Sequence, residues 1–335
     1  MEFLFDFLMR IIVQFQSPTL GFLIGGIVIA ALGSNLKIPN AIYQFIVFML
    51  LMKIGLRGGI EIRGANLSEM FLPAVITVII GITIVLIGSF VFSLLPGIKR
   101  EDGIATAGIF GAVSASTLAA AMVLLEEEAI FYEAWVPALY PFMDIPALIL
   151  AIVLANIYLK RQNEGKDSKV DVWGIVKESL RGSALSALIL GLGLGLLTNS
   201  ESILEGFYEP LFRGFLSVLL LVMGMEAYAR LNELRRVAHL YAVYAFIAPI
   251  MHGLMAFVLG YIAHVTVGFS PGGVILLSVM AASSSDISGP PTLRAAVPSA
   301  NSSAYIGAST SVGTPVAIAV CIPLFIALAK VVFDL

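Results

Sequence analysis

The sequence predicts an all-α polytopic membrane protein: ten transmembrane helices arranged as two inverted five-helix repeats, with helices 4 and 9 broken. Three observations carry this. Of the 335 residues, 59% are hydrophobic and only 12% are charged, with a mean hydropathy of +1.00, whereas a soluble domain carries about 25% charged residues. Apolar runs long enough to cross a bilayer recur from Thr19 to Phe333. Short motifs of the first half also reappear in the second at a nearly constant offset.

The chain starts "MEFLFDFLMRIIVQFQS". It has no basic n-region and no small-residue cleavage site, so it reads as an amphipathic lead-in and not as a signal peptide. Ten segments of about 20 mostly apolar residues follow, at 18–34, 39–60, 69–95, 102–125, 133–159, 182–198, 210–230, 237–264, 272–297 and 302–331. The fifth and sixth are separated by a hydrophilic linker, residues 160–181, "KRQNEGKDSKVDVWGIVKESLR". The expected organisation is therefore a first repeat over 1–159, the linker, and a second, inverted repeat over 182–335.

The linker carries six of the 19 Lys and Arg residues. Counting the loops on its side gives 13 basic residues against six on the other, so the positive-inside rule makes the linker cytoplasmic. Ten spans then put both termini outside. The outer loops are acidic instead, as in "LLEEEAIFYEA" and "TNSESILEGFYEP". No basic cluster with interleaved aromatics suggests nucleic acid. The single cysteine, Cys321, excludes an intrachain disulfide and a thiolate metal cluster.

"GIFGAVSAST" (108–117) falls on "SVMAASSSDI" (278–287) at an offset of 170, pairing Ser114 with Ser284 and Ser116 with Asp286. "DIPALI" falls on "GTPVAI" and "MLLMKIG" on "VLLLVMG" at 169, pairing Pro146 with Pro315 and Gly55 with Gly224. Five spans per copy is an odd number, so the second copy enters the membrane upside down. Such inverted repeats mark secondary transporters, whose sites lie near the midplane where helices from both copies are broken.

The breaks have the residues a break needs. In "MAASSSDISGPPTLRA" (280–295), Pro290 and Pro291 lack N–H groups and clash with the preceding turn, and Gly289 lets the chain change direction. Ser283, Ser284, Ser285, Asp286, Ser288 and Thr292 can satisfy backbone groups freed there. In "GAVSAST", Gly111 and Ala112 permit close approach, while Ser114, Ser116 and Thr117 supply hydroxyls. A half-helix N-terminus attracts an anion through its dipole and unpaired N–H groups. The Asp286 carboxylate attracts a cation. Packing by small residues and serines bonded to their own helix are the alternative for "GAVSAST". They account less well for Asp286, since a charged Asp at a helix centre costs about 2.5–3.5 kcal/mol.

Asp144, in "YPFMDIPALI" between Pro141 and Pro146, is the second carboxylate near a span centre; it either holds the cation, caps the break in span 4 or bonds a neighbour in a kinked helix. Asn301, Ser309, Thr310 and Thr314 suit packing. Lys53 suits an interface anchor that snorkels outward. Glu226 is expected at the cytoplasmic end of span 7, and His252 as a packed hydrogen-bond donor in mid-span.

These motifs, with "SPTLGFLIGGIVIAALGS", "EAWVPALYPFMDIPAL", "LVMGMEAYARLNELRRVA" and "PSANSSAYIGASTSVGTPVAI", resemble the cyanobacterial sodium-dependent bicarbonate transporters of the SbtA type, nearly end to end. The central linker is shorter than some members carry. The resemblance implies sodium-coupled bicarbonate import across the plasma membrane for a carbon-concentrating mechanism. It implies an elevator-type motion of a core (spans 3–5 and 8–10) against a gate (spans 1, 2, 6 and 7), within lipid and in a homotrimer. It also implies a trimeric PII-like regulator on the cytoplasmic face.

By motif, it puts bicarbonate at Gly111, Ala112, Ser114, Ser116, Thr117, Ser283, Ser284, Ser285, Gly289 and Thr292. Sodium would fall to Asp286, Ser288, Asp144 and Ser116. A cation/proton antiporter, or a sodium symporter for another small anion, would share the broken repeats. An intramembrane aspartyl protease is disfavoured, since "FMDIP" and "SSDIS" both lack the Gly-x-Gly-Asp pattern, so no enzymatic activity is expected. A non-transporting sensor is the further rival.

Overall fold

The computed structural model describes residues 18–64, 67–162, 173, 174, 177, 181, 183–237 and 239–335. The N-terminal lead-in and most of the linker at 160–181 lie outside the described residues. All regular structure among the described residues is helical. In chain order the helices are α1 (Pro18–Ala31), α2 (Asn40–Gly64), α3 (Leu67–Leu94), α4 (Arg100–Gly111), α5 (Ala115–Glu127) and α6 (Tyr140–Gln162). After the linker come α7 (Ser183–Leu197), α8 (Glu209–Val237), α9 (His239–Val267), α10 (Pro271–Ala282), α11 (Gly289–Ala296) and α12 (Ser302–Val332). Helix α8 is preceded by a short turn and a π-helical turn, Leu204–Tyr208, and α12 contains two more π-helical turns.

Each of the ten predicted apolar segments holds helix, and the two expected to be broken are broken. Among the described residues, six stretches are long and apolar enough to cross a bilayer: Leu67–Leu94, Arg100–Glu127, Val136–Leu159, Glu201–Arg230, His239–Val267 and Ser302–Val332. Helices α1, α7 and α10 contain shorter apolar stretches. Helix α2 is 25 residues long but carries Lys53, Arg57, Glu61 and Arg63. Within Arg100–Glu127, residues 102–125 are all buried in protein, whereas α3 and α9 show large apolar side chains on the outside. That division is what a bilayer requires, because irregular backbone at membrane depth survives only where protein surrounds it.

Small residues set the helix pairs. Helix α2 packs along α7, and α1 along α8. A Cβ at Gly55 would lie 2.4 Å from the Leu188 carbonyl oxygen, and one at Gly224 would lie 2.1 Å from that of Leu23. The backbones touch because nothing projects between them, the usual packing logic where lipid supplies no hydrophobic drive. A second group forms around α3, α4 and α6 and a third around α9, α10 and α12. The Gly55 and Gly224 matched in sequence thus make the same kind of contact, on α2·α7 and on α1·α8.

Lys53 departs from expectation. It is buried, and its ammonium stands 4.1 Å from the centre of the Phe212 ring on α8. It does not snorkel outward, because a cation–π contact holds it inside.

Candidate functional site

The two breaks meet. Helix α4 stops at Gly111, where a Cβ would come within 2.6 Å of Val85 Cγ2 and 3.1 Å of the Gly81 carbonyl oxygen. Ala112 is extended, Ser114 is extended, and α5 begins at Ala115. Helix α10 stops at Ala282, Ser283 is extended, and α11 begins at Gly289. A Cβ at Gly289 would lie 2.7 Å from Ile109 Cδ1. Both first halves, α4 and α10, have 12 residues, but the second break is three residues longer than the first.

Each break satisfies the other's backbone. In an unbroken helix the N–H of Val113 would donate to the carbonyl of Ile109. Here Val113 N donates to Asp144 Oδ1 at 3.0 Å, and the freed Ile109 carbonyl accepts from Ser285 N at 2.9 Å. Ser114 N donates to Ser283 Oγ at 3.0 Å, and Ser283 Oγ in turn donates to the Met280 carbonyl. Asp144 also accepts from Ser288 Oγ, at 3.1 Å to Oδ2. Asp144 therefore bridges the breaks: it caps the break in span 4 through Val113 and bonds a neighbour in Ser288, two of the roles the sequence left open for it.

The remaining hydroxyls sort by partner. Ser114 Oγ caps α5, accepting from Thr117 N, and pairs with Ser116 Oγ at 2.8 Å. Thr117 Oγ1 donates to Ser114 Oγ, and Thr292 Oγ1 to the Ser288 carbonyl. Ser284 Oγ pairs with Ser309 Oγ on α12, and Ser285 Oγ with Ser288 Oγ while accepting from Gly289 N. Most of the predicted serines thus hold the breaks in shape.

What is left over is specific. Ser116 Oγ donates to Asp286 Oδ2 at 2.9 Å. Asp286 Oδ1 is buried and has no hydrogen-bond partner. A buried carboxylate oxygen without a donor is costly, and a hard cation is a suitable partner for it. The N–H groups of Ala115 and Ser116, in the first turn of α5, make no hydrogen bond among the described residues.

The two half-helix N-termini are not equivalent. In α11, Pro290 and Pro291 have no N–H, and that of Gly289 is taken by Ser285. Helix α5 offers donors and dipole, whereas α11 offers mainly dipole. All of Ser114, Ser116, Thr117 and Ser283–Ser285 are buried, but Asp286 is partly exposed, so the pair is reached from the Asp286 side.

A family model described as the Na+-dependent bicarbonate transporter superfamily matches residues 18–330. The chain belongs to this superfamily. Comparison with curated proteins gave no match. Membership of the Na+-dependent bicarbonate transporter superfamily makes this a multi-pass membrane transporter and not an enzyme, with bicarbonate and sodium as the relevant solutes. The matched region contains both breaks, Asp144 and Asp286.

Sequence reasoning missed two participants. Tyr140 places its hydroxyl 3.4 Å from Ser288 Oγ, and Ile109 lends its carbonyl, while Ser309, expected to serve packing, braces Ser284. Neither missed residue stands out in an apolar stretch. Tyr43 on α2 and Glu226 on α8 lie within electrostatic reach of Asp286. His252 is buried with Nδ1 unpartnered, its ring 6.3 Å from that of Tyr244.

Proposed function

We propose that the chain is a sodium-coupled bicarbonate symporter that imports HCO3− across the plasma membrane. Bicarbonate binds at the first turn of α5, at the Ala115 and Ser116 N–H groups that the Ser114 cap leaves free, beside Ser116 and within the cradle of Gly111–Thr117 and Ser283–Thr292. Sodium binds at Asp286. One observation carries the reading: a buried carboxylate oxygen without a partner among the described residues sits one hydrogen bond from Ser116, in the turn where the Ala115 and Ser116 N–H groups are free. A small oxyanion suits those donors, and a hard cation suits that oxygen.

Coupling then has a physical reason. Bicarbonate moving inward against a negative-inside potential costs about 2.3 kcal/mol per 100 mV, and one sodium ion cancels that charge. The cation also offsets the repulsion between Asp286 and the anion, so that each binds weakly without the other.

In this reading the two breaks travel together. Spans 3–5 and 8–10 form a core that moves by an elevator-type mechanism against a gate of spans 1, 2, 6 and 7, with the two halves related as inverted repeats. The reading is supported by the helix pairs α2·α7 and α1·α8, which exchange under such a repeat. The resemblance to SbtA-type transporters adds a homotrimer, a trimeric PII-like regulator at the cytoplasmic face near the linker, external termini and a role in carbon concentration.

The test is transport by purified protein in liposomes, with labelled bicarbonate and a panel of small anions, with and without a sodium gradient. Sodium-dependent uptake selective for bicarbonate is expected. Sodium-driven uptake of another anion would make the chain a symporter for that anion. Proton-driven cation exchange without anion uptake would make it an antiporter and end the proposal.

A further inference from the structure

The ionic residues of the two membrane faces are treated differently. On the face with the acidic loops, Arg57, Arg63, Arg213 and Lys330 each stand within ion-pair distance of a glutamate. At the turn between α3 and α4, Lys99 and Arg100 have no carboxylate within that distance among the described residues. Both are exposed, and they follow the turn at Gly97, whose φ of 77° suits glycine.

These two cations lie on a groove. A cavity of about 700 Å³ opens between α3, α4 and α6, and a second of about 480 Å³ adjoins it, sharing Ser93, Arg100 and Tyr158. The larger one is apolar along the α3 and α6 sides, where Leu86 is 49% and Ile157 42% exposed on the surface that faces lipid. Its wall also holds Ser89 Oγ, which is buried and has no hydrogen-bond partner. The smaller one is polar, walled by Lys99, Arg100 and Glu101. The Arg100 guanidinium lies 5.6 Å from the centre of the Tyr158 ring. An apolar trough that ends in two unneutralised cations at a helix turn has the shape and charge of one kind of molecule: acyl chains below, a negative headgroup above.

The geometry points to a binding site for one anionic phosphoglycerolipid, its phosphate held by Lys99 and Arg100 and its chains lying along α3 and α6. The occupant is a lipid and not a soluble phosphate, because the larger cavity contributes mostly apolar, lipid-facing wall. Glu101 opposes part of the attraction, so the site discriminates by headgroup charge more modestly than two free cations would. Each basic residue beside an anionic headgroup gives about a fivefold gain in affinity; two of them, less the effect of Glu101, give about tenfold.

The test is native mass spectrometry of the full chain released from nanodiscs, titrated with phosphatidylglycerol and with phosphatidylcholine, in the absence of sodium and bicarbonate. The wild type is expected to retain one phosphatidylglycerol per chain, about tenfold in preference to phosphatidylcholine. The double variant Lys99→Gln, Arg100→Gln is expected to lose that preference while keeping its melting temperature. Ile157→Trp, which fills the trough and leaves both cations in place, is expected to reduce retention of phosphatidylglycerol severalfold. Equal retention of the two lipids by the wild type, or a preference unchanged in the double variant, would reduce the groove to ordinary annular lipid and overturn the assignment. Displacement of phosphatidylglycerol by millimolar inorganic phosphate would overturn it too. None of these readouts depends on transport.

Discussion

Replacing Asp286 with asparagine tests the site most directly. Asp286 Oδ2 accepts from Ser116 Oγ, and Oδ1 has no hydrogen-bond partner among the described residues. An asparagine fits the same space and can still accept from Ser116, so the fold keeps its hydrogen bond and stability changes by no more than about 1 kcal/mol. What disappears is the charge. Removing one member of a buried ionic pair costs about 3–5 kcal/mol, and about 1.4 kcal/mol is a factor of ten in affinity. The concentration of sodium for half-maximal uptake should therefore rise more than about 100-fold in Asp286→Asn. The assay is labelled bicarbonate uptake into proteoliposomes over a sodium titration, with thermal unfolding of the purified variant as the control for folding. A folded variant with unchanged sodium activation would refute the reasoning, since no other carboxylate oxygen between the two breaks lacks a donor among the described residues.

Asp144→Asn should behave differently, because both Asp144 oxygens already serve Val113 N and Ser288 Oγ: sodium activation should persist. Asp144→Ala should lower stability by about 2–4 kcal/mol through the donors it strands, read by thermal unfolding. Ser114→Ala removes the cap of α5 and the acceptor of Thr117 N, a loss of about 1 kcal/mol that should appear as a lower melting temperature together with weaker bicarbonate uptake. A Cβ at Gly59 would stand 2.3 Å from the Leu192 carbonyl oxygen, so Gly59→Val should force α2 from α7 and cost about 1–3 kcal/mol, again by thermal unfolding. Arg213→Gln cuts exposed ion pairs to Glu126 and Glu127; stability should change by less than about 1 kcal/mol, and less still at high salt.

The breaks were legible because glycine, serine and proline contrast with the apolar residues around them, and hydrocarbon has no other use for such a cluster. The inequality of the two half-helices was legible as well: Pro290 and Pro291 announce their missing N–H groups, yet the similarity of "GAVSAST" and "SSSDI" drew attention to what the motifs share. The task of Asp144 was narrowed to a few possibilities and not chosen. It depends on Val113 and Ser288, which are 31 and 144 residues away, and no local pattern encodes such a meeting. Lys53 failed for the same reason. Its position within α2 suggested a stem reaching for water, and only the approach of Phe212 from α8 explains why it stays inside. Local chemistry marks where a helix must stop. It does not say who receives the backbone groups set free.

Asp144 is one rivet among several through the two interrupted helices. To pull Val113 and Ser288 apart would leave a buried carboxyl without its donors, a cost that ties the two gaps into one unit. If the proposed solutes nest there, a single block of scaffolding holds them both.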